Sequence, residues 1–262
     1  GQFAPLGDIA ALNYARRLQM VPVGVIAQAA GVASYPFLAR LFAEGRRKEM
    51  EAQVNQAVRS GLVVSGLAAA AVIALAVPLV AVAYQRGSFD AADTLATAPL
   101  LAIYGIAIPM WTAHQVYTRA FYAQRRMWLP VVVGTAITVV ALPAYYFSAT
   151  NFAAVGVAAT STAVMSAYAL IMGWLWHREA SAKEVTRSGW QAFVAGVPAG
   201  AAAWAASRAL AGREPPDTLI GIVVLVVGGA LAAAVYWAVL KMLGSPELEA
   251  VLRRRRQRGS PR

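Results

Sequence analysis

Cysteine is absent from this chain, and carboxylates are scarce: 12 Asp and Glu stand against 23 Lys and Arg in 262 residues. Without cysteine there is no disulfide framework, no thiolate zinc site and no cysteine nucleophile. Only 13% of the residues are charged, about half the share usual in a soluble domain. With 59% hydrophobic residues, the chain is too apolar for a disordered one. Catalytic signatures are also missing: there is no P-loop, no H-E-x-x-H and no G-x-S-x-G. The carboxylate pairs Asp90/Asp93 and Glu214/Asp217 read as turn or capping residues rather than acid–base pairs. The chain reads as a non-enzyme.

What is present is a set of long charge-free runs: 18–39, 60–85, 94–118, 127–176, 188–207 and 218–240. A helix needs roughly 20 apolar residues to cross the hydrocarbon core of a bilayer. Five runs fit one crossing each. The longest fits two, with a break expected at Ser148-Ala149-Thr150-Asn151, where turn-forming polar residues cluster. Strands of a membrane barrel would be shorter and alternate in polarity. The expected fold is therefore all-α: a polytopic integral membrane helix bundle of seven transmembrane helices. They are expected at about 9–42, 60–84, 92–114, 128–147, 152–176, 189–209 and 218–242. They make one transmembrane lobe, 1–246, followed by a basic cytoplasmic tail, 247–262.

The basic residues orient this bundle. Apart from Arg16, Arg17, Arg86, Arg208 and Arg213, every Lys and Arg falls in one alternate set of connections or in the tail. The positive-inside rule places that set, and the C-terminus, in the cytoplasm. Seven crossings then put Gly1 outside, and the chain, lacking an initiator Met and a leader, reads as the later part of a longer protein. The tail, with Arg253–Arg256, Arg258 and Arg262, suits anionic headgroups of the inner leaflet better than nucleic acid, since no folded basic module accompanies it.

The residues most open to a functional role are Arg16 and Arg17. Neighbouring helix residues point about 100° apart, so only one can face a cavity squarely. An arginine at membrane depth is costly unless it lines a wet cavity or meets an anion, and its planar guanidinium suits phosphate oxygens. The competing reading is a pair of interface anchors snorkelling toward lipid headgroups. His114 and His177 read as polar residues at helix ends, because no acidic residue lies within the charge-free runs to form a relay.

Several motifs resemble one family. L-N-Y-A-R-R-L-Q-M-V-P-V-G-V (12–25) with Y-P-F-L-A-R-L (35–41) is similar to the eighth helix of the MurJ/MviN lipid II flippases, within the multidrug/oligosaccharidyl-lipid/polysaccharide exporter superfamily. Y-Q-R-G-S-F-D-A-A-D-T (84–94), R-A-F-Y-A (119–123) with Pro130, G-V-A-A-T-S (156–161) and G-W-Q-A-F (189–193) resemble later segments, in the same order. The resemblance implies helices eight to fourteen of a fourteen-helix flippase in a bacterial plasma membrane. Such a protein moves undecaprenyl-diphosphate-linked peptidoglycan precursor (lipid II) to the outer leaflet by alternating access. The implied partners are lipid II, membrane lipids, the N-terminal lobe of the same protein and cell-wall synthesis proteins; no nucleic acid is implied. Arg17 matches the family's cavity arginine in Y-A-x-R-L, and Arg16 occupies the variable position before it. The resemblance also implies that the last two helices form a groove for the lipid tail. It implies no cofactor. The sequence departs from the family where Arg126 and Leu129 replace Asp and Thr, and where the helix at 128–147 lacks the Asn and Asp of a sodium site. Sodium, protons and membrane potential stand as alternatives for the driving force. Other readings are a related exporter of O-antigen-type lipid oligosaccharides or drugs, and a non-transporting scaffold for cell-wall synthesis. A membrane glycosyltransferase is disfavoured because no acidic metal-binding motif is present.

Overall fold

The computed structural model describes residues 6–31, 35–178, 181–212 and 214–247; of residues 6 and 27–31 it describes the backbone only. The described residues are mostly helical, with no strand among them. The helices are α1 Leu6–Gly31, α2 Tyr35–Ala43, α3 Arg47–Ala74, α4 Ala76–Tyr84, α5 Ala91–Ile106, α6 Ile108–Ala123, α7 Trp128–Trp176, α8 Lys183–Ala211 and α9 Thr218–Met242. Three of them, α3, α7 and α9, are long and apolar enough to cross a membrane. The pair α5–α6 qualifies when taken together, bent by 45°.

Proline explains much of the segmentation. Pro78 has no N–H to give to the carbonyl of Ala74, and the helix breaks at Leu75 (φ −107, ψ 21), dividing α3 from α4. Pro109 in the same way cannot bond Gly105, and the chain bends between α5 and α6 at Ala107. The single helices expected over 60–84 and 92–114 are therefore each two pieces. The one expected over 9–42 is α1 and α2, with residues 32–34 outside the described set. In the other direction, the polar stretch before residue 60 is continuous with the membrane helix: Met50, Val54 and Val58 recur every fourth residue and are buried.

Caps fix the ends. Asp90 and Asp93 form a reciprocal capping box at the start of α5, with bonds of 3.0 and 3.1 Å. Asp217 accepts from the Ile220 amide at the start of α9, 2.9 Å away. Between α2 and α3, Glu44 meets Arg40 at 2.6 Å and Arg46 at 2.8 Å. Hydrogen bonding to these two guanidinium groups holds its carboxyl below the usual range.

The break in the longest run lies at Ala153 (φ 46, ψ −135), past the tetrad expected to interrupt it. Those polar side chains continue the helix instead. Thr150 donates to the Tyr146 carbonyl (3.0 Å) and Asn151 to that of Phe147 (2.8 Å). After Ala153 the chain doubles back. Tyr145 donates to Ser161 (3.2 Å), Thr160 to Ser148 (2.9 Å), and Tyr168 to the Pro130 carbonyl (2.5 Å). Gly156 sits so close to the first arm that an added Cβ would lie 2.4 Å from the Ser148 carbonyl oxygen.

Helices α8 and α9 pack through small residues. Ala192, Ala195, Ala199 and Ala203 line the buried edge of α8, and Gly221, Gly228 and Ala232 that of α9. The Tyr236 hydroxyl donates to the Val63 carbonyl at 2.7 Å, which ties α9 to α3. The sequence puts residue 247 in the basic tail; the structure buries Glu247 against α3 and α8, where Arg59 and Ser188 receive its carboxylate. Residues 248–262, which hold the tail's arginines, lie outside the described residues.

Candidate functional site

The site is built around α1. Ala11, Ala15, Gln19 and Val23 form its buried stripe. Gln19 donates to the Tyr104 carbonyl of α5 at 3.0 Å, one helical turn from the arginine pair. Residues 10, 13, 17, 21 and 24 form the opposite, exposed stripe, and Arg17 lies at its centre by the 100° step. Arg16 sits on the flank, toward Tyr104, and Arg17 lies within electrostatic reach of Tyr84. Tyr14, Tyr84 and Phe89 cluster around that end of α1 with centroids 4.7 to 5.8 Å apart, Tyr14 and Phe89 meeting edge to face. Both arginines are exposed, and neither forms a hydrogen bond or ion pair with another described residue. The two guanidinium groups are therefore separated in direction. They are not brought together as one cradle by this chain alone.

Beside Arg16, the α7 hairpin adds hydroxyls. Ser161 receives Tyr145, and Tyr104 also reaches it. Thr162 donates to the Ile103 carbonyl (3.1 Å). Sequence reading passed over this cluster because no single residue in it is unusual for a membrane helix. Its signal was the spacing of Tyr145 from Ser161 across the expected break.

A second feature is an apolar groove of about 1030 Å³. It runs beside α8 from Ala182 to Trp204, about 33 Å at 1.5 Å per residue. α3, α6 and the second arm of α7 complete its walls, through residues such as Leu62, Met110 and Leu170. No residue of α9 lines it, so the last two helices do not form this groove together; α9 packs on the other side of α8. α6 stands between the groove and α1: Ile108 belongs to the same core as Ala11 and Ala15, whereas Pro109, Met110 and Ala113 face the groove. One mouth carries His177 and Arg178, the latter over the Trp174 ring at 4.1 Å.

The two histidines are held by side chains, not by carboxylates. His114 contacts the Thr118 hydroxyl (3.1 Å) and packs on Tyr168. His177 meets the Tyr117 hydroxyl at 3.2 Å, and burial pushes its imidazole below the ordinary value.

Comparison with known proteins adds a family to this geometry. The family model described as Lipid II flippase MurJ matches residues 2–244. A probable lipid II flippase MurJ from Rhizobium tropici is 32% identical over 144 residues, which are 52% of this chain and 27% of that protein. The lipid II flippase MurJ of Burkholderia cenocepacia is 27% identical over 134 residues, 51% of this chain and 26% of that protein. A solved lipid II flippase MurJ in an inward closed conformation superposes with a TM-score of 0.66 at 17% identity, covering 89% of this chain and 48% of the other. These matches span about a quarter of the curated relatives and about half of the solved structure. The chain belongs to the lipid II flippase MurJ family.

Proposed function

We propose that this chain is the C-terminal membrane lobe of a lipid II flippase, a transporter rather than an enzyme. In this reading it carries undecaprenyl-diphosphate-linked peptidoglycan precursor from the inner to the outer leaflet of a bacterial plasma membrane. The observation that carries the proposal is the placement of Arg17. It is a fixed cation at the middle of the one exposed stripe of α1, in a chain that corresponds to half of the family's fold. The uncovered stripe is where an N-terminal lobe would close the cavity, and a guanidinium there suits the diphosphate. Arg16 stands on the flank of the same cavity. Rocking of the two lobes would expose the site to each leaflet in turn.

The seven crossings are α1–α2, α3–α4, α5–α6, the two arms of α7, α8 and α9. Their orientation, with the C-terminus in the cytoplasm, rests on the basic residues of alternate connections. The apolar groove suits the polyprenyl chain: it is about as long as the hydrocarbon core is thick and lined mostly by small, aliphatic and aromatic side chains.

The test is rescue of bacteria depleted of their own lipid II flippase by the intact protein, with Arg17→Ala and Arg17→Lys beside it at equal expression. Rescue by the wild type, failure of Arg17→Ala and partial rescue by Arg17→Lys are expected. Full rescue by Arg17→Ala would reduce Arg17 to an interface anchor, and failure of the wild type would reject the flippase reading.

A further inference from the structure

α9 ends on Gly244 (φ 60), with the Ser245 amide bonded back to the Leu240 carbonyl at 3.1 Å. This left-handed turn satisfies the last carbonyls of the helix and reverses the chain. It carries residues 245–247 back over the middle of α3 and the first turns of α8. There the Glu247 carboxylate, only 5% exposed, accepts from the Ser188 hydroxyl (2.9 Å) and the Ser245 hydroxyl (2.9 Å). Its oxygen lies 3.3 Å from Nε of Arg59 on α3, itself only 16% exposed. The same guanidinium pairs with Glu184 of α8. One turn along α8, Gln191 donates to the Leu243 carbonyl at 3.0 Å.

A carboxylate is costly to bury and persists only where its partners converge. Here they converge from two helices, α3 and α8, and from the turn that follows α9. Ser245 and Glu247 also lie past the family-matched segment, so this contact is not part of what the chain shares with the family model.

The position of the cluster gives it a consequence. Val58, Val185 and Gly189 line the groove, and each is next in sequence to a member of the cluster: Arg59, Glu184 and Ser188. Pro198 lies inside α8 further along; its missing N–H removes one helical hydrogen bond and supplies a point about which the first half of that helix can swing. We infer that Arg59, Ser188, Ser245 and Glu247 form a C-terminal latch that sets the width of the groove mouth beside His177 and Arg178. Closed, the latch clips the first turns of α8 to α3. Released, it lets them move away from the second arm of α7, which faces them across the groove.

The absence of cysteine from this chain makes the test direct. Val185→Cys reports the latched mouth and Trp204→Cys the far end. Both are introduced into the intact protein, with any cysteine outside this chain replaced by serine. Labelling by a water-soluble maleimide is followed in membranes with and without Glu247→Ala. The latch predicts several-fold faster labelling at 185 on Glu247→Ala, no change at 204, and recovery of slow labelling with Glu247→Asp. Equal acceleration at both positions would mean general loosening, and no change at 185 would mean the cluster does not control the mouth; either overturns the inference. If Glu247→Ala does not accumulate, Ser188→Ala, which removes one hydrogen bond, is read the same way.

Discussion

At the residue scale, close contacts and strained angles set the largest expected effects. Gly66 leaves 2.7 Å between an added Cβ and the Tyr236 hydroxyl, with Ala192 at 3.1 Å. Gly66→Val should therefore separate α3 from α8 and α9 and cost about 1–3 kcal/mol, as overpacking does; a lower melting temperature in detergent is the readout. Ala153 shows the opposite sign. Its φ of 46 is a conformation that only glycine adopts freely, so Ala153→Gly should stabilise the hairpin by about 1 kcal/mol, and Ala153→Val should destabilise it. His177 gives a pH dependence. Burial lowers its pKa from 6.5, so the folded state prefers the neutral ring. That stability is present above the unfolded value and is lost as pH falls through the folded one. Melting temperature measured from pH 8 down to pH 5 should fall, and His177→Phe should flatten the fall.

At the scale of elements, the groove and the caps carry the predictions. A Cβ at Gly196 would find only Ala70 and Gly66 nearby, at 3.8 and 3.9 Å. Gly196→Leu thus extends into the groove without a backbone clash. If the groove holds the polyprenyl chain, this substitution should depress transport at normal expression, whereas unaltered transport would separate the groove from the substrate path. Asp90→Ala removes one half of the α5 capping box and should cost about 1 kcal/mol, read again as melting temperature. Element boundaries are also where sequence and structure part. Capping chemistry was visible at Asp90 and Asp217 because the side chain acts on its own neighbours. The position of the α7 turn was not: whether Ser148, Thr150 and Asn151 end a helix or bond back onto it depends on the arm that packs beside them. Likewise, no local pattern announced that α9 would turn away from the groove.

For the whole molecule, hydropathy and charge made the helical membrane class legible, since a bilayer imposes length and polarity on each segment. Arg17 was legible as a candidate because charge at membrane depth is rare. Which of the two arginines lies opposite the buried stripe came only from the packing of Ala15 and Gln19. Glu247 was invisible as a structural residue: in sequence it belongs to a polar tail, and only the turn at Gly244 brings it to Arg59. The orientation of the bundle is open to a simple experiment. Single cysteines at Gly87 and Arg125 lie on connections expected on opposite sides. An impermeant maleimide applied to intact spheroplasts should label the first and spare the second.

The first arm of α7 shows how unevenly the sequence is constrained. Val131, Val132, Val139, Val140 and Leu142 are all exposed, while Gly134 lies against the Tyr168 ring. On that arm the surroundings select for oiliness, not shape. A saturation library over residues 131–142 should accept almost any exchange among valine, leucine, isoleucine and phenylalanine at the outward positions. At 134 it should admit alanine only with a small shift of the Tyr168 ring and disfavour larger side chains, so that a single helix evolves at two speeds.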